Sequence, residues 1–384
     1  MKKITIMLLT AALAASAVLS GCGGKGGNGG SNAGNNSQSA QSQDANGGKT
    51  GAGGEDHADL AGSVLTICNY GEYMDPDVID MFEDETGIEI KYEEAITPEE
   101  MYTKFKAGAI DYDLLCTSDY MMKRLIQEGE VAEVDFSSFE YKDNIGETYW
   151  KLSQAFDPDN KYALPYFWGT LGILYDTTRV NGPVDSWDVL FNGEYAGEII
   201  MQNSVRDAFM ITLKHLGYSL NTENEAEIQA AYEALLAQKP DVQAYLVDEA
   251  RDEVVAGNAI MAVVYSGEAY LGREFNPDLA YVVPKEGSNV WIDSFCITEK
   301  SKNKEAARLF LDFLCREDVA QKNFEYIYYS TPNEAVIESL SDEEKADEAL
   351  VPPANVIDNC EVATITDGPA NDLMNELWKK LKAE

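Results

Sequence analysis

The sequence predicts an α/β protein built as two halves with a cleft between them. Three observations predict it. Short apolar runs alternate with capped helices from residue 63 onward, the same alternation resumes with different content near residue 198, and 384 residues suffice for two domains or one large α/β unit. Hydrophobic residues at 45% and charged residues at 25% are ordinary for a folded chain.

Residues 63–69 form a short apolar run with strand propensity. Asp75 and Pro76 then open a helix, the aspartate as N-cap and the proline in the first turn, and Gly87 closes it. Residues 88–92 read as a second strand. Thr97-Pro98-Glu99-Glu100 is a capping box for a helix that ends at Gly108. Residues 113–117 are a third strand, followed by a helix to Gly129. This order argues for a parallel sheet with helices on its faces. Further on, 198–202 is a strand and Ser204 caps a helix to His215. Residues 222–238 look helical, with Thr222 and Glu225 as a second capping box. Strands follow at 259–265 and 290–297, and 304–314 is a strongly amphipathic helix.

The first 62 residues read differently. Lys2 and Lys3 precede an apolar run over 4–18 that is too short to span a bilayer comfortably, and Leu19-Ser20-Gly21-Cys22 puts small residues at a processing site. The motif resembles the bacterial lipobox, which implies a signal peptide over 1–21 and a lipid on Cys22. An ordinary secretory signal with an incidental cysteine is the alternative. Residues 23–54 hold 12 of the 30 glycines and no aromatic or branched apolar residue. Such a segment buries no surface, so 22–62 is expected to be a flexible tether on the outer face of a membrane. About 40 residues of this kind span roughly 35 Å root-mean-square.

Charge and residue counts narrow the function. Acidic residues outnumber basic ones by 67 to 29, a net charge of −38. A nucleic-acid binder needs a basic footprint, and none is visible. An anionic substrate is disfavoured, and a cationic partner is favoured by the field. His57 and His215 are the only histidines, which nearly excludes a His-rich zinc site and a catalytic triad at His57. Cys68, Cys116, Cys296, Cys315 and Cys360 contain no C-x-x-C; the first three read as small buried hydrophobes, and one disulfide stays open.

In open α/β sheets, ligands bind beyond the carboxyl ends of strands. Tyr70, Glu72 and Tyr73 stand after the first strand, and Ser118, Asp119 and Tyr120 after the third. Ser204 and Asp207 follow the 198–202 strand, and Tyr265 and Ser266 the 259–265 strand. Trp291 and Asp293 share one face of the 290–297 strand by their period of two. Tyr328 and Tyr329 precede Thr331-Pro332-Asn333. Arg206 is the only cation in these groups, expected as a structural partner for a carboxylate. Aromatic faces pack on methylene chains and attract ammonium groups, and carboxylates accept charge-assisted hydrogen bonds from them. A long alkyl amine carries both features.

The segments Cys68 to Tyr73, Phe156-Asp157-Pro158-Asp159-Asn160, Leu164-Pro165-Tyr166-Phe167-Trp168-Gly169, Trp291-Ile292-Asp293-Ser294 and Ser330-Thr331-Pro332-Asn333 resemble the spermidine/putrescine-binding proteins of bacterial ABC importers. The resemblance runs from about residue 63 to the C-terminus. It implies a type II periplasmic-binding fold of two lobes, one of 63–170 plus 292–338 and the other of 171–291 plus 339–384, that closes on a polyamine. It also implies a membrane permease and an ATPase as partners. A monomeric receptor with no cofactor, no metal and no catalytic residue is the expectation. The family's ligand positions fall on Tyr70, Tyr73, Ser118, Tyr120, Asp207, Tyr265, Trp291, Asp293 and Tyr329. Three departures stand out. Tyrosine replaces tryptophan at 70 and 265, Ser204 replaces an aspartate, and a late glutamine has no clear match near Ala363. Three rival readings stay open at this point: an enzyme using a carboxylate pair among Glu72, Asp207 and Asp293, a ferric-ion receptor using Tyr328 and Tyr329, and a sugar receptor using the aromatic platforms.

Overall fold

The structure, a computed structural model, describes residues 59–247, 249–364 and 368–383. The signal segment, Cys22, His57 and the tether up to residue 58 lie outside the described residues. The first strand is β1 (Val64–Tyr70), and α1 (Pro76–Thr86) follows it. Asp75 caps α1 by accepting from the Asp77 N–H, and Gly87 closes it at φ 69°, where a side chain would be strained. β2 (Glu89–Ala95) leads into α2 (Pro98–Ala107). The Thr97 hydroxyl accepts from the Glu100 N–H, but Glu100 reaches back to Ile96 rather than to Thr97, so only half of the expected box forms. β3 (Leu114–Ser118) and α3 (Asp119–Gln127) complete the first βαβαβα run, and α4 (Glu147–Ser153) lies beyond.

β4 (Leu164–Asp176) is a 13-residue strand that joins two regions of the fold. Its first part pairs with β9 (Val290–Ile297), and its second part with β7 (Met261–Tyr265) and β8 (Leu279–Val282). Between these in the chain come β5 (Ile199–Gln202), α5 (Val205–His215), α6 (Glu225–Gln238), β6 (Val242–Leu246), α7 (Glu249–Val255) and α8 (Ser266–Phe275). α9 (Lys304–Leu314), α10 (Glu317–Ile327) and a C-terminal helix (Pro369–Ala383) follow β9. The strand order is β2-β1-β3-β9-β4-β7-β5-β6, with β8 on β4.

Two expectations need correction. The sheet is mixed: β9 runs antiparallel to β3 and β4, and β4 antiparallel to β7. The long strands that carry the chain between regions return against the βαβ direction. The cap of α6 is Asn224, whose side chain accepts from the Ala226 N–H; Thr222 lies in the preceding turn and accepts from the Asn224 N–H. An asparagine two residues later outcompetes the threonine because its carbonyl meets the first free helical N–H groups.

Buried residues gather in separate clusters. One contains Ile67, Phe82, Leu114, Phe295 and Phe310, together with Ile357 and Val362 from late in the chain. α9 contributes Ala307, Phe310, Leu311 and Leu314, the stripe its amphipathic pattern predicted. A second holds Trp187, Phe209, Met261 and Leu381, and a third Leu174, Ile200 and Val264. Leu164 to Trp168 of β4 belong to the first cluster, and Leu171 and Ile173 to the second. The strand therefore crosses between cores near Thr170. Hydrogen bonds crowd that crossing: the Thr170 N–H donates to the Ser266 hydroxyl, Thr170 shares a bond with the Tyr281 hydroxyl, and Ser288 donates to the Leu171 carbonyl.

The motif at 156–160 is structural. Asp157 is buried, and its carboxylate accepts from the N–H groups of Tyr162 and Ala163, which aims the chain into β4. Ser330 to Asn333 is also a brace. The Trp168 indole donates to the Thr331 carbonyl, and Asn333 donates to the Cys315 carbonyl while capping the next turn. All five cysteines among the described residues are free.

Candidate functional site

The strands end at a cleft of about 570 Å³ between the cores. Ten of the eleven candidate ligand residues line it: Tyr70, Tyr73, Ser118, Asp119, Tyr120, Asp207, Tyr265, Trp291, Asp293 and Tyr329. Glu72 does not. It sits exposed in the turn after β1 at φ 52°, so the turn that brings Tyr70 and Tyr73 inward carries Glu72 outward. Buried Asn69 fixes that turn: its side-chain N–H donates to the Tyr73 carbonyl and its oxygen accepts from the Tyr70 N–H.

The walls are aromatic. Tyr70 and Tyr73 meet edge to face at 5.5 Å, Tyr73 approaches Tyr329 at 6.3 Å, and Tyr329 meets Trp291 at 5.1 Å. Trp291 in turn meets Tyr265 at 6.3 Å. Two glycines make these positions available. A Cβ on Gly169 would lie 2.5 Å from the Trp291 ring, and one on Gly267 would lie 2.4 Å from the Tyr329 ring. Both rings therefore rest on bare backbone.

Three buried carboxylates line this cleft, with exposed Glu99 at its edge. Asp293 lies opposite Ser118 in the β3–β9 register and accepts from the Tyr73 hydroxyl at 2.8 Å. Burial pushes its carboxyl up to about 7, against the opposing pull of that hydrogen bond. Asp119, at the start of α3, is likewise pushed up to about 7, first by burial and also by the nearby Asp293 charge. Asp207 accepts from the Tyr265 hydroxyl at 2.8 Å and is raised by burial, which the bonds from Tyr265 and the Ser204 side chain oppose. One Asp119 oxygen, the Ser118 hydroxyl and the Trp291 indole N–H have no partner among the described residues. Such a wall of buried acids and ring faces suits a desolvated cation.

Arg206 is not the ion-pair partner that the sequence suggested. Its guanidinium carbon lies 3.5 Å from the centre of the Tyr120 ring, and no carboxylate lies within ion-pair distance of it among the described residues. Ser204, where the family pattern has an acid, caps α5 through the Asp207 N–H. Ala363 also lines the cleft.

Sequence reasoning missed Ile96, Pro98, Glu99, Asn289 and Met210, which also line the cleft. The strand-end rule applied to β2 finds the first three, since they follow its carboxyl end. Tyr328 and Tyr329 do not converge. Tyr328, at φ 64°, stacks on Tyr270, and only Tyr329 lines the cleft. Among the described residues no cluster of three His, Cys, Asp or Glu could hold a metal ion. His215 stacks flat on Phe191 at 4.3 Å and does not line the cleft.

Gly169→Ala and Gly267→Ala should each displace a ring and cost about 1–3 kcal/mol of stability, the range for an overpacked core. Denaturant melts and near-ultraviolet circular dichroism check this. Unchanged curves and spectra would show that the rings do not depend on the bare backbone.

Residues 77–352 match the family described as bacterial extracellular solute-binding protein. The chain is 35% identical over 331 residues to the spermidine/putrescine-binding periplasmic protein of Escherichia coli, covering 85% of this chain and 93% of that one. It is 28% identical to the putrescine-binding periplasmic protein SpuD of Pseudomonas aeruginosa, covering 83% and 92%. The crystal structure of the spermidine/putrescine ABC transporter substrate-binding protein PotD from Streptococcus pneumoniae, in complex with calcium and HEPES, is similar at TM-score 0.78 and 36% identity, covering 84% of this chain and 99% of that one.

Proposed function

The chain belongs to the bacterial extracellular solute-binding proteins, and from that premise we propose that its cleft captures polyamines, putrescine or spermidine, for an ABC import permease and its ATPase. The observation that carries this is Asp293, a buried carboxylate two residues from Trp291 on the same face of β9, in a cleft that also holds Asp119 and Asp207. An ammonium group can bond to the acid while its methylenes lie on the rings. The ligand leaves unchanged, so the chain is a receptor and not an enzyme. Tyr70, Tyr73, Ser118, Tyr265, Trp291 and Tyr329 form the box, with Asp119, Asp207 and Asp293 as its charges.

Asp293→Asn keeps the shape and removes the charge. It should weaken putrescine and spermidine binding by about 2–5 kcal/mol, the range for breaking a buried charge pair. The sign of the pH effect follows from the raised carboxyl. Below pH 7 Asp293 is protonated in the free protein, so affinity should fall as the pH drops from 8 to 5.5. The acid also stabilises the ligand-free fold below its unfolded pKa, and that contribution is lost as the pH rises through about 7. Ligand should therefore raise the melting temperature more at pH 8 than at pH 5.5. Calorimetric titration and thermal melts on both proteins test this. An Asn variant with wild-type affinity and an unchanged pH profile would sink the assignment.

We assign 63–170 plus 292–338 to one lobe and 171–291 plus 339–384 to the other, so that the chain crosses in β4, in β9 and once more between residues 338 and 339. The hydrogen-bonded crossing at Thr170 supports this division, although Ile357 and Val362 of the last stretch pack in the first core. Saturating putrescine should reduce the radius of gyration in small-angle scattering, because a ligand held by both lobes favours the closed state. A radius that does not move would count against closure.

Among the described residues no helix is long and apolar enough to cross a membrane. We assign attachment to a lipid on Cys22, on the resemblance of Leu19-Ser20-Gly21-Cys22 to the lipobox, with the glycine-rich tether between lipid and receptor. Cys22→Ser should move the protein from the membrane fraction to the soluble fraction of expressing cells. A variant that stays with the membrane refutes the anchor.

A further inference from the structure

At one end of the cleft a stacked pair joins side chains from the two cores. Tyr120 of α3 packs against the first core, while α5, which carries Arg206, buries Ala208, Phe209 and Ile211 in the second. The guanidinium lies over the face of the Tyr120 ring at 3.5 Å. The ring is pinned at its edge as well, because its hydroxyl donates to Glu99 of α2 at 2.9 Å. A phenol that donates to a carboxylate carries a more electron-rich face, which strengthens attraction to a cation. Arg206 and Tyr120 also line a smaller adjoining cavity of about 310 Å³, so the pair stands between it and the cleft.

The stack has a built-in counterweight. Arg206 Nη1 is out of reach of solvent and has no partner among the described residues. An unpaired buried N–H opposes the contact, and separating the cores would return that nitrogen to water. The attraction must be broken before water arrives, so the pair resists opening more than it favours the closed state.

We propose that the Arg206–Tyr120 stack is an interlobe clasp that sets how long the closed state lasts, and Arg206 is therefore a positioning residue rather than a ligand contact. This rests on the solute-capture reading for its purpose. Its geometry does not depend on which solute is captured.

The test is single-molecule fluorescence transfer between dyes on the exposed faces of α2 and α6 of the full chain, with and without putrescine. Arg206→Lys keeps the charge but loses the planar fork that stacks on a ring. It should shorten the closed dwell about tenfold in both conditions, with a matching rise in putrescine release in stopped flow. Tyr120→Phe keeps the ring face and should hold most of the wild-type dwell, whereas Tyr120→Leu should behave like Arg206→Lys. The double variant Arg206→Lys with Tyr120→Leu should be no faster than either single one. Unchanged dwells in Arg206→Lys, or additive effects in the double variant, would overturn the clasp. If the wild-type chain binds neither putrescine nor spermidine, yet Arg206→Lys still shortens the ligand-free closed dwell, the polyamine reading falls and the clasp stands.

Discussion

Trp291 lies against the backbone of Gly169 with no space for a methyl group between them, and the rest of the cleft is arranged around that contact. The two residues are paired across β9 and β4, next to the place where β4 leaves one core for another. Because the indole is held there, the alternation of β9 puts Asp293 on the same face, beside Ser118 of β3. The ring of Tyr329 is seated by the same device on Gly267. A cleft wall built on strand backbone keeps its geometry better than one built on loops, because the ladder hydrogen bonds fix each Cα.

The electrostatics follow from that placement. Raising a carboxyl from the ordinary 3.8 to about 7 corresponds to roughly 4 kcal/mol by which burial opposes ionisation of Asp293. The cost is comparable to what an ammonium group would recover on pairing, so the empty cleft resists holding its charge and a bound cation reverses that resistance. Among the described residues no lysine or arginine does this at Asp293. Across the whole chain the excess of acid, 67 against 29, draws cations toward the cleft over distances longer than any single contact.

Much of the fold was legible because local signals were unambiguous. Asp75-Pro76 and Gly87 delimit α1, and 290–297 and 304–314 match their elements residue for residue. β4 was not legible as a strand: a proline, four aromatics and two glycines obscure its pattern, and burial along nearly its whole length removes the polar alternation. The antiparallel course of β4 and β9 is a tertiary fact that no local pattern encodes. Within the site, the strand-end rule found Tyr70, Tyr73, Ser118, Asp119, Tyr120, Asp207 and Tyr265 at or just after the ends of β1, β3, β5 and β7, whereas Trp291 and Asp293 lie at the start of β9 and Tyr329 follows α10. It failed at Glu72, where a left-handed turn residue reverses the expected direction, and at Arg206, whose stacking partner is far away in sequence.

Two cleft acids are each held by a phenol, Asp293 by Tyr73 and Asp207 by Tyr265. The choice of a neutral donor matters. An arginine in the same place would hold the carboxylate equally well but cancel its charge, and the cleft would then offer nothing to a cation. A phenol fixes the position of the carboxylate and leaves its charge intact, with one oxygen still able to accept from a ligand. At 265 this arrangement coincides with a departure from the family pattern, where tyrosine stands in for tryptophan and brings a hydroxyl within 2.8 Å of the acid. The substitution keeps an aromatic wall and adds an orienting hydrogen bond. Ser204 works in the same sense: where the pattern has a second acid, its hydroxyl accepts from the Asp207 N–H and secures the turn that carries Asp207. One charge fewer at this end of the cleft is thus combined with a more firmly held one.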